Sequence, residues 1–146
     1  LAQPFRAIAH NGEINTYRGN KNWMKVHEQE MNSPLFDNVE NLKPVIQQGA
    51  SDSAALDNVF ELLNISGQPA PLAKLMLVPD AWSKKNKTLP KDHQQLFNFL
   101  NSTMEPWDGP AAIAGTDNEW VIAANDRNGL RQIGRASCRE RVSTSV

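Results

Sequence analysis

Cysteine is almost missing from this chain: of 146 residues only Cys138 is one, so no disulfide framework and no cysteine-based metal site can be built, and redox compartment stays unmarked. Histidine is scarce too. His10, His27 and His93 lie far apart, neither His-x-x-x-His nor Cys-x-x-Cys occurs, and a lone His is more often a hydrogen-bonded structural residue than a ligand, so no metal centre is expected. Glycine-rich phosphate loops are absent, whether Walker A or G-x-G-x-x-G, which leaves nucleotide binding without a motif. Charge of one sign is not in excess: the formal net charge is -1 and Lys and Arg are scattered, so no nucleic-acid partner is expected. No apolar run approaches the ~20 residues of a membrane helix and the first residues lack a signal-peptide layout, so no membrane partner is expected either. An initiator Met is also lacking, and with Leu1 already on the threshold of a strand the sequence is expected to begin inside a longer protein. There is no internal repeat and no low-complexity tract.

What is there is ordinary in bulk. With 40% hydrophobic and 21% charged residues, the composition is that of one globular domain or part of one. Residues 5–9 read as a short buried strand between Pro4 and Asn11-Gly12. Residues 20–31 are helical, with Trp23, Met24, Val26 and Met31 in one apolar arc as core packing, and Ser33-Pro34 as the break. His27, inside that arc, reads as a partly buried, hydrogen-bonded histidine. Residues 34–50 connect, and Ser51-Asp52-Ser53 opens the strongest helix, with Ala55, Leu56, Val59, Phe60, Leu62 and Leu63 as its stripe and Ser66-Gly67 as its cap. Residues 72–78 fit a short helix, 82–90 a polar solvent-facing loop, and 91–104 a helix with Leu96, Phe97, Phe99 and Leu100 apolar. The runs 111–115 and 120–124 flank Thr116-Asp117-Asn118-Glu119 as a hairpin. Both are nearly continuously apolar, which predicts a sheet covered on both faces, in a layered sandwich of helices and sheets. Residues 126–131 predict a polar turn held by internal ion pairs and Gly129. Residues 132–146 abandon hydrophobic patterning and resemble a sequencing adapter translated in one frame; they are expected to be a non-native tail, with Cys138 in it.

The chemistry these residues could carry centres on His10-Asn11-Gly12-Glu13-Ile14-Asn15-Thr16. An Asn side-chain NH2 and a neighbouring backbone N–H, held at a strand end, suit the oxyanion of a tetrahedral intermediate. Asn-Gly is also the commonest short hairpin turn, and read by itself the pair is a turn first. Asp52 could bind an α-ammonium group by charge-assisted hydrogen bonds. From spacing alone, Asp52 or Ser51 is a helix cap first.

Four blocks in one order change that balance. AHNGEINTYRGNKNWM, DSAALDN, EPWDGPAAIA and DRNGLR resemble the glutaminase domain of the glutamate synthase large subunit, over residues 1–131. The likeness departs after Arg131, where the family continues with Pro and this sequence has Gln132. The resemblance implies a class II glutamine amidotransferase, α+β in class, here an incomplete N-terminal-nucleophile αββα sandwich. It implies Asn11 and Gly12 as the oxyanion hole and Asp52 as the group that binds the substrate amino group. It implies a covalent mechanism through a terminal Cys, and an arginine segment for the substrate carboxylate, both upstream of Leu1, so this stretch by itself is expected to be inactive. Glutamine is the implied substrate. The implied partners are the remaining domains of the large subunit, with a small subunit or ferredoxin as electron source, in the cytoplasm. Ammonia would pass to a synthase region carrying FMN and an iron-sulfur cluster, with no cofactor held by the present stretch. Two alternatives stand beside this: another class II amidotransferase feeding amino-sugar, purine or asparagine synthesis, against which EPWDGPAAIA speaks, and a non-catalytic remnant that binds glutamine or packs on a partner domain.

Overall fold

The computed structural model of the chain describes residues 5–81 and 89–131. Most of the loop expected at 82–90 and all of the tail expected at 132–146 lie outside them. The elements are β1 (Ile8–Gly12), α1 (Tyr17–Glu30), a 3-10 turn (Val39–Leu42), α2 (Asp52–Ile65), α3 (Ala70–Leu77), α4 (Lys91–Thr103), β2 (Ala111–Thr116) and β3 (Val121–Asn125). The result is an α+β fold with a small antiparallel sheet, ordered β1-β2-β3, flanked by helices.

The helix α2 begins where Ser51 caps it, its Oγ accepting the Ala54 N–H at 3.2 Å. It ends in a Schellman motif, in which the amides of Gly67 and Gln68 return to the carbonyls of Asn64 and Leu63, both at 3.0 Å. Its buried face, Ala55, Leu56, Val59, Phe60 and Leu63, shares one core with Ala70, Ala73 and Leu77 of α3 and with Ile8, Ala111, Ile113 and Ile122 of the sheet. The hairpin forms as expected: Asp117 Oδ1 accepts from the amides of Glu119 and Trp120 at 3.1 and 2.7 Å, closing the turn between β2 and β3.

Two expectations need correction. Strand β1 starts at Ile8, three residues later than read, and runs through Asn11 and Gly12, which pair with Ala112 and Ala111. Asn11-Gly12 is therefore a paired strand end and not a hairpin turn. The amides of Arg6 and Ala7 are instead taken by the Asp57 carboxylate. In α1 the inward face carries Asn20 and Met24, while Trp23 is 51% exposed and Val26 is also exposed. Asn20 is buried because its hydrogen bonds are met: Oδ1 accepts from Thr16 Oγ1 at 2.6 Å and Nδ2 donates to the Pro106 carbonyl at 3.1 Å. On α4, likewise, Phe97 and Leu100 are buried but Phe99 is exposed. Among the described residues the helices cover one face of the sheet, with Ile8, His10, Ile113 and Ile122 buried. Register puts Ala9, Asn11, Ala114, Thr116, Val121 and Ala123 on the other face, where Val121 is 72% exposed. His27 behaves as expected, half-buried with Nε2 2.7 Å from Glu105 Oε2. No helix of the described residues is long and apolar enough to cross a membrane.

Candidate active site

The edge of β1 decides what this site can do. In an antiparallel pair, successive residues alternate between bonding to the partner strand and pointing their N–H groups away from it. Glu13 donates its N–H to the Pro110 carbonyl at 3.0 Å and Ala7 accepts from the Thr116 N–H at 3.0 Å, so the odd-numbered residues face β2. The N–H groups of Ile8, His10, Gly12 and Ile14 consequently turn to the outer edge. Two carboxylates of α2 meet that edge at its ends: Asp57 Oδ1 accepts from Ile8 at 2.9 Å and Asp52 Oδ2 accepts from Ile14 at 2.8 Å. Gly12 presents its N–H between them.

Asp52 is not the helix cap, since Ser51 performs that task. It is the first residue of α2. Its Oδ1 accepts from the Ser53 N–H at 2.8 Å, and its Oδ2 binds Ile14, so the carboxylate is fixed at the exit of β1.

Strand alternation puts His10 and Asn11 on opposite faces. His10 is 3% exposed and its Nδ1 lies 2.6 Å from Ser53 Oγ. Burial above all pushes the His10 imidazole below its usual value, with Asp52 pulling it up and Arg131 pushing it down. A buried imidazole of this kind is neutral at pH 7 and ties β1 to the start of α2. Asn11 looks out from the exposed face, where its Oδ1 accepts a hydrogen bond from Arg131 Nη1. Asn11, Gly12 and Asp52 thus share one strand end but approach it differently: a side chain on the open face, a backbone N–H at the edge, and a carboxylate from the helix layer.

A second segment backs this strand end. Asp108 accepts from the amides of Asn15 and Thr16 at 2.7 and 3.2 Å, and returns its own N–H to Thr16 Oγ1 at 2.9 Å. The block Asp108-Gly109-Pro110 therefore serves as the wall against which residues 12–16 are laid.

Residues 126–131 are held by one carboxylate and not by the ion pairs expected there. Asp126 is 3% exposed and accepts from the amides of Ala111, Asn128, Leu130 and Arg131 at 2.9 to 3.0 Å. Burial would raise its carboxyl, but the amides of Leu130, Arg131, Ala111 and Asn128 outweigh it and hold the group at about 2. The unfolded chain therefore binds this proton first, so the stabilisation is complete above about pH 4 and is lost as pH falls through 2, in all about 2 kcal/mol. Urea midpoints measured between pH 5 and pH 2 should fall more steeply for this chain than for Asp126→Asn; equal slopes would remove Asp126 from that role.

Asp57, His10 with Ser53, Asp126, Arg131 and Gly109 were not legible as site-building residues. Each of them stands inside one of the four blocks, and Asp57 also interrupts the apolar stripe of α2, but no local pattern gives any of them this role. Among the described residues no group of three or more His, Cys, Asp or Glu could hold a metal ion.

The arrangement presents hydrogen-bond donors beside a fixed carboxylate, and the comparisons with known proteins fall in the same place. Identity is 56% over 132 residues to the glutamate synthase [NADPH] large chain of Azospirillum brasilense, covering 90% of this chain and 9% of that one. It is 52% over 132 residues to glutamate synthase [NADH] of Saccharomyces cerevisiae, covering 89% and 6%. It is 44% over 134 residues to ferredoxin-dependent glutamate synthase of Cyanidium caldarium, covering 90% and 8%. The chain thus spans less than a tenth of the length of these relatives. The family described as glutamine amidotransferases class-II matches residues 1–140. With the family matched over nearly the whole sequence, this chain belongs to the class II glutamine amidotransferases.

Proposed function

We propose that this chain is part of the glutaminase domain of a glutamate synthase, hydrolysing glutamine to glutamate and ammonia, and that Asn11, Gly12 and Asp52 form part of its active site. The observation that carries this reading is the end of β1. There strand alternation turns the Gly12 N–H to the outer edge of β1, the Asn11 carboxamide stands beside it, and Asp52 is fixed where that edge ends. As a thiolate adds to the glutamine carboxamide carbon, the oxygen gains negative charge, and Asn11 Nδ2–H and Gly12 N–H would stabilise it. Collapse of the tetrahedral species expels ammonia and leaves a thioester, which water hydrolyses to glutamate and free thiol. Asp52 would accept hydrogen bonds from the substrate α-ammonium group, setting which end of glutamine enters.

The attacking thiol of this reading belongs to a residue outside 1–131. The exposed sheet face, from Ala9 to Val121, would be covered by the second sheet of an αββα sandwich. FMN and an iron-sulfur cluster do not fit the residues described: there is no cluster of ligands for iron and no glycine-rich phosphate loop, so no step is derived through either. Both would belong to a synthase region elsewhere in the protein, which would receive the ammonia.

Glutamine hydrolysis by the complete protein tests this. Asn11→Ala should lower kcat about 100-fold, about 3 kcal/mol, with the melting temperature unchanged, because the donor is engaged only when charge develops on the oxygen. An unaltered kcat would take Asn11 out of the oxyanion hole, and a complete wild-type protein that releases no glutamate from glutamine would overturn the function itself.

A further inference from the structure

An amide can stabilise an oxyanion only if its NH2 end, and not its oxygen, faces the reacting carbonyl. A free Asn side chain on an exposed sheet face turns over readily, and in the wrong orientation it presents a lone pair to the developing charge. We propose that Arg131 is a positioning residue for glutamine hydrolysis, fixing which end of the Asn11 carboxamide meets the substrate. This rests on the glutaminase reading above.

Three observations carry it. A guanidinium has donors only, so the Asn11 atom that Arg131 Nη1 meets is Oδ1, and Nδ2 with its two N–H groups is directed away from the arginine. The arginine itself is held from behind: its backbone N–H and that of Leu130 are bound by the buried Asp126 carboxylate, at 2.9 and 3.0 Å. That same carboxylate also binds the N–H of Ala111, the residue paired with Gly12 across the sheet. Asp126 therefore ties the arginine's backbone to the strand that faces Gly12, while its guanidinium reaches Asn11. Both halves of the oxyanion hole are referred to one buried group. The lowering of His10 by Arg131 shows that the arginine's charge reaches this strand end.

Charge might act on the oxyanion directly, and a double-mutant cycle separates that from positioning. In the complete protein, Arg131→Gln should reduce kcat for glutamine hydrolysis about 10- to 100-fold, with KM and melting temperature little changed. Arg131→Lys, which keeps a donor and the charge, should recover most of it. In an Asn11→Ala background Arg131→Gln should cause no further loss, because nothing remains to orient. A full additional loss in that background would overturn the proposal in favour of direct electrostatic action, and an unaltered kcat in Arg131→Gln alone would overturn it outright. Should Arg131→Gln prove unstable, Arg131→Met, which keeps the aliphatic stem, is read in the same cycle with the same criteria. If Asn11→Ala alone has no effect on kcat, it is the underlying assignment of the oxyanion hole that fails.

Discussion

Replacing Asp57 by Ala should destabilise the chain by about 4 kcal/mol, as unsatisfied buried amides and a lost charge-assisted network together imply. Asp57 is 2% exposed, on the inner face of α2 between Leu56 and Val59. Its Oδ1 accepts from the amides of Ala7 and Ile8 at 2.8 and 2.9 Å, and both its oxygens accept from Arg6 at 3.2 and 3.1 Å. Truncation strands these donors unequally. Arg6 is exposed and water can reach its N–H, whereas Ile8 is buried and its N–H has nowhere to turn. Asp57→Asn should fall about midway, because an amide oxygen in the Oδ1 position retains the bonds to Ala7 and Ile8 while losing the charge. Urea unfolding with unchanged m-values would check both, and a loss under 1 kcal/mol for Asp57→Ala would show that the entry of β1 is held by packing alone.

The start of β1 is not legible locally. Phe5 to Ala9 is apolar apart from Arg6 and reads as one strand, but pairing with β2 begins only at Ile8, and the amides of Arg6, Ala7 and Ile8 are all accepted by a carboxylate about fifty positions later in sequence. The same holds for Asn11-Gly12: as a dipeptide it is a turn, and it becomes a paired strand end only because Ala111 and Ala112 arrive opposite it. Helix α2 was legible because its cap, stripe and terminating Gly are all local, and the hairpin because Asp117 closes it from within. Helix α1 shows the limit of periodicity. Its pattern could not tell that Asn20 would be buried on hydrogen bonds to residues 105 and 106, leaving Trp23 outside. The sheet's second face carries Ala9, Ala112, Ala114 and Ala123, small apolar residues that bury little area each, so what covers it cannot be read from their pattern. At the site, the motif blocks marked Asn11, Gly12 and Asp52, but nothing local marked the groups that hold them, since Asp126 and Arg131 act on residues across the fold.

The second large effect is expected at two glycines on the seam between residues 12–15 and 108–111. Gly12 has φ +153°, and a Cβ there would stand 1.9 Å from the Pro110 carbonyl oxygen; Gly109 has φ +154°, and a Cβ there would stand 2.0 Å from the Glu13 oxygen. Both clashes are with backbone, so no side chain can move aside. Gly12→Ala should therefore destabilise by about 4 kcal/mol, combining backbone strain with forced separation of the segments. Gly109→Ala should match it, although residue 109 is not assigned a donor in the reaction. That match is the point of the comparison: if Gly12 were needed only for its N–H in the oxyanion hole, alanine would keep that donor and only the seam would object. The two losses should also fail to add, because opening the seam for one Cβ makes room for the other, and the double variant should be less destabilised than the sum by at least 1 kcal/mol. Thermal or urea unfolding of the three variants decides it. Simple additivity would mean that each glycine answers to its own surroundings and that the seam does not act as one unit.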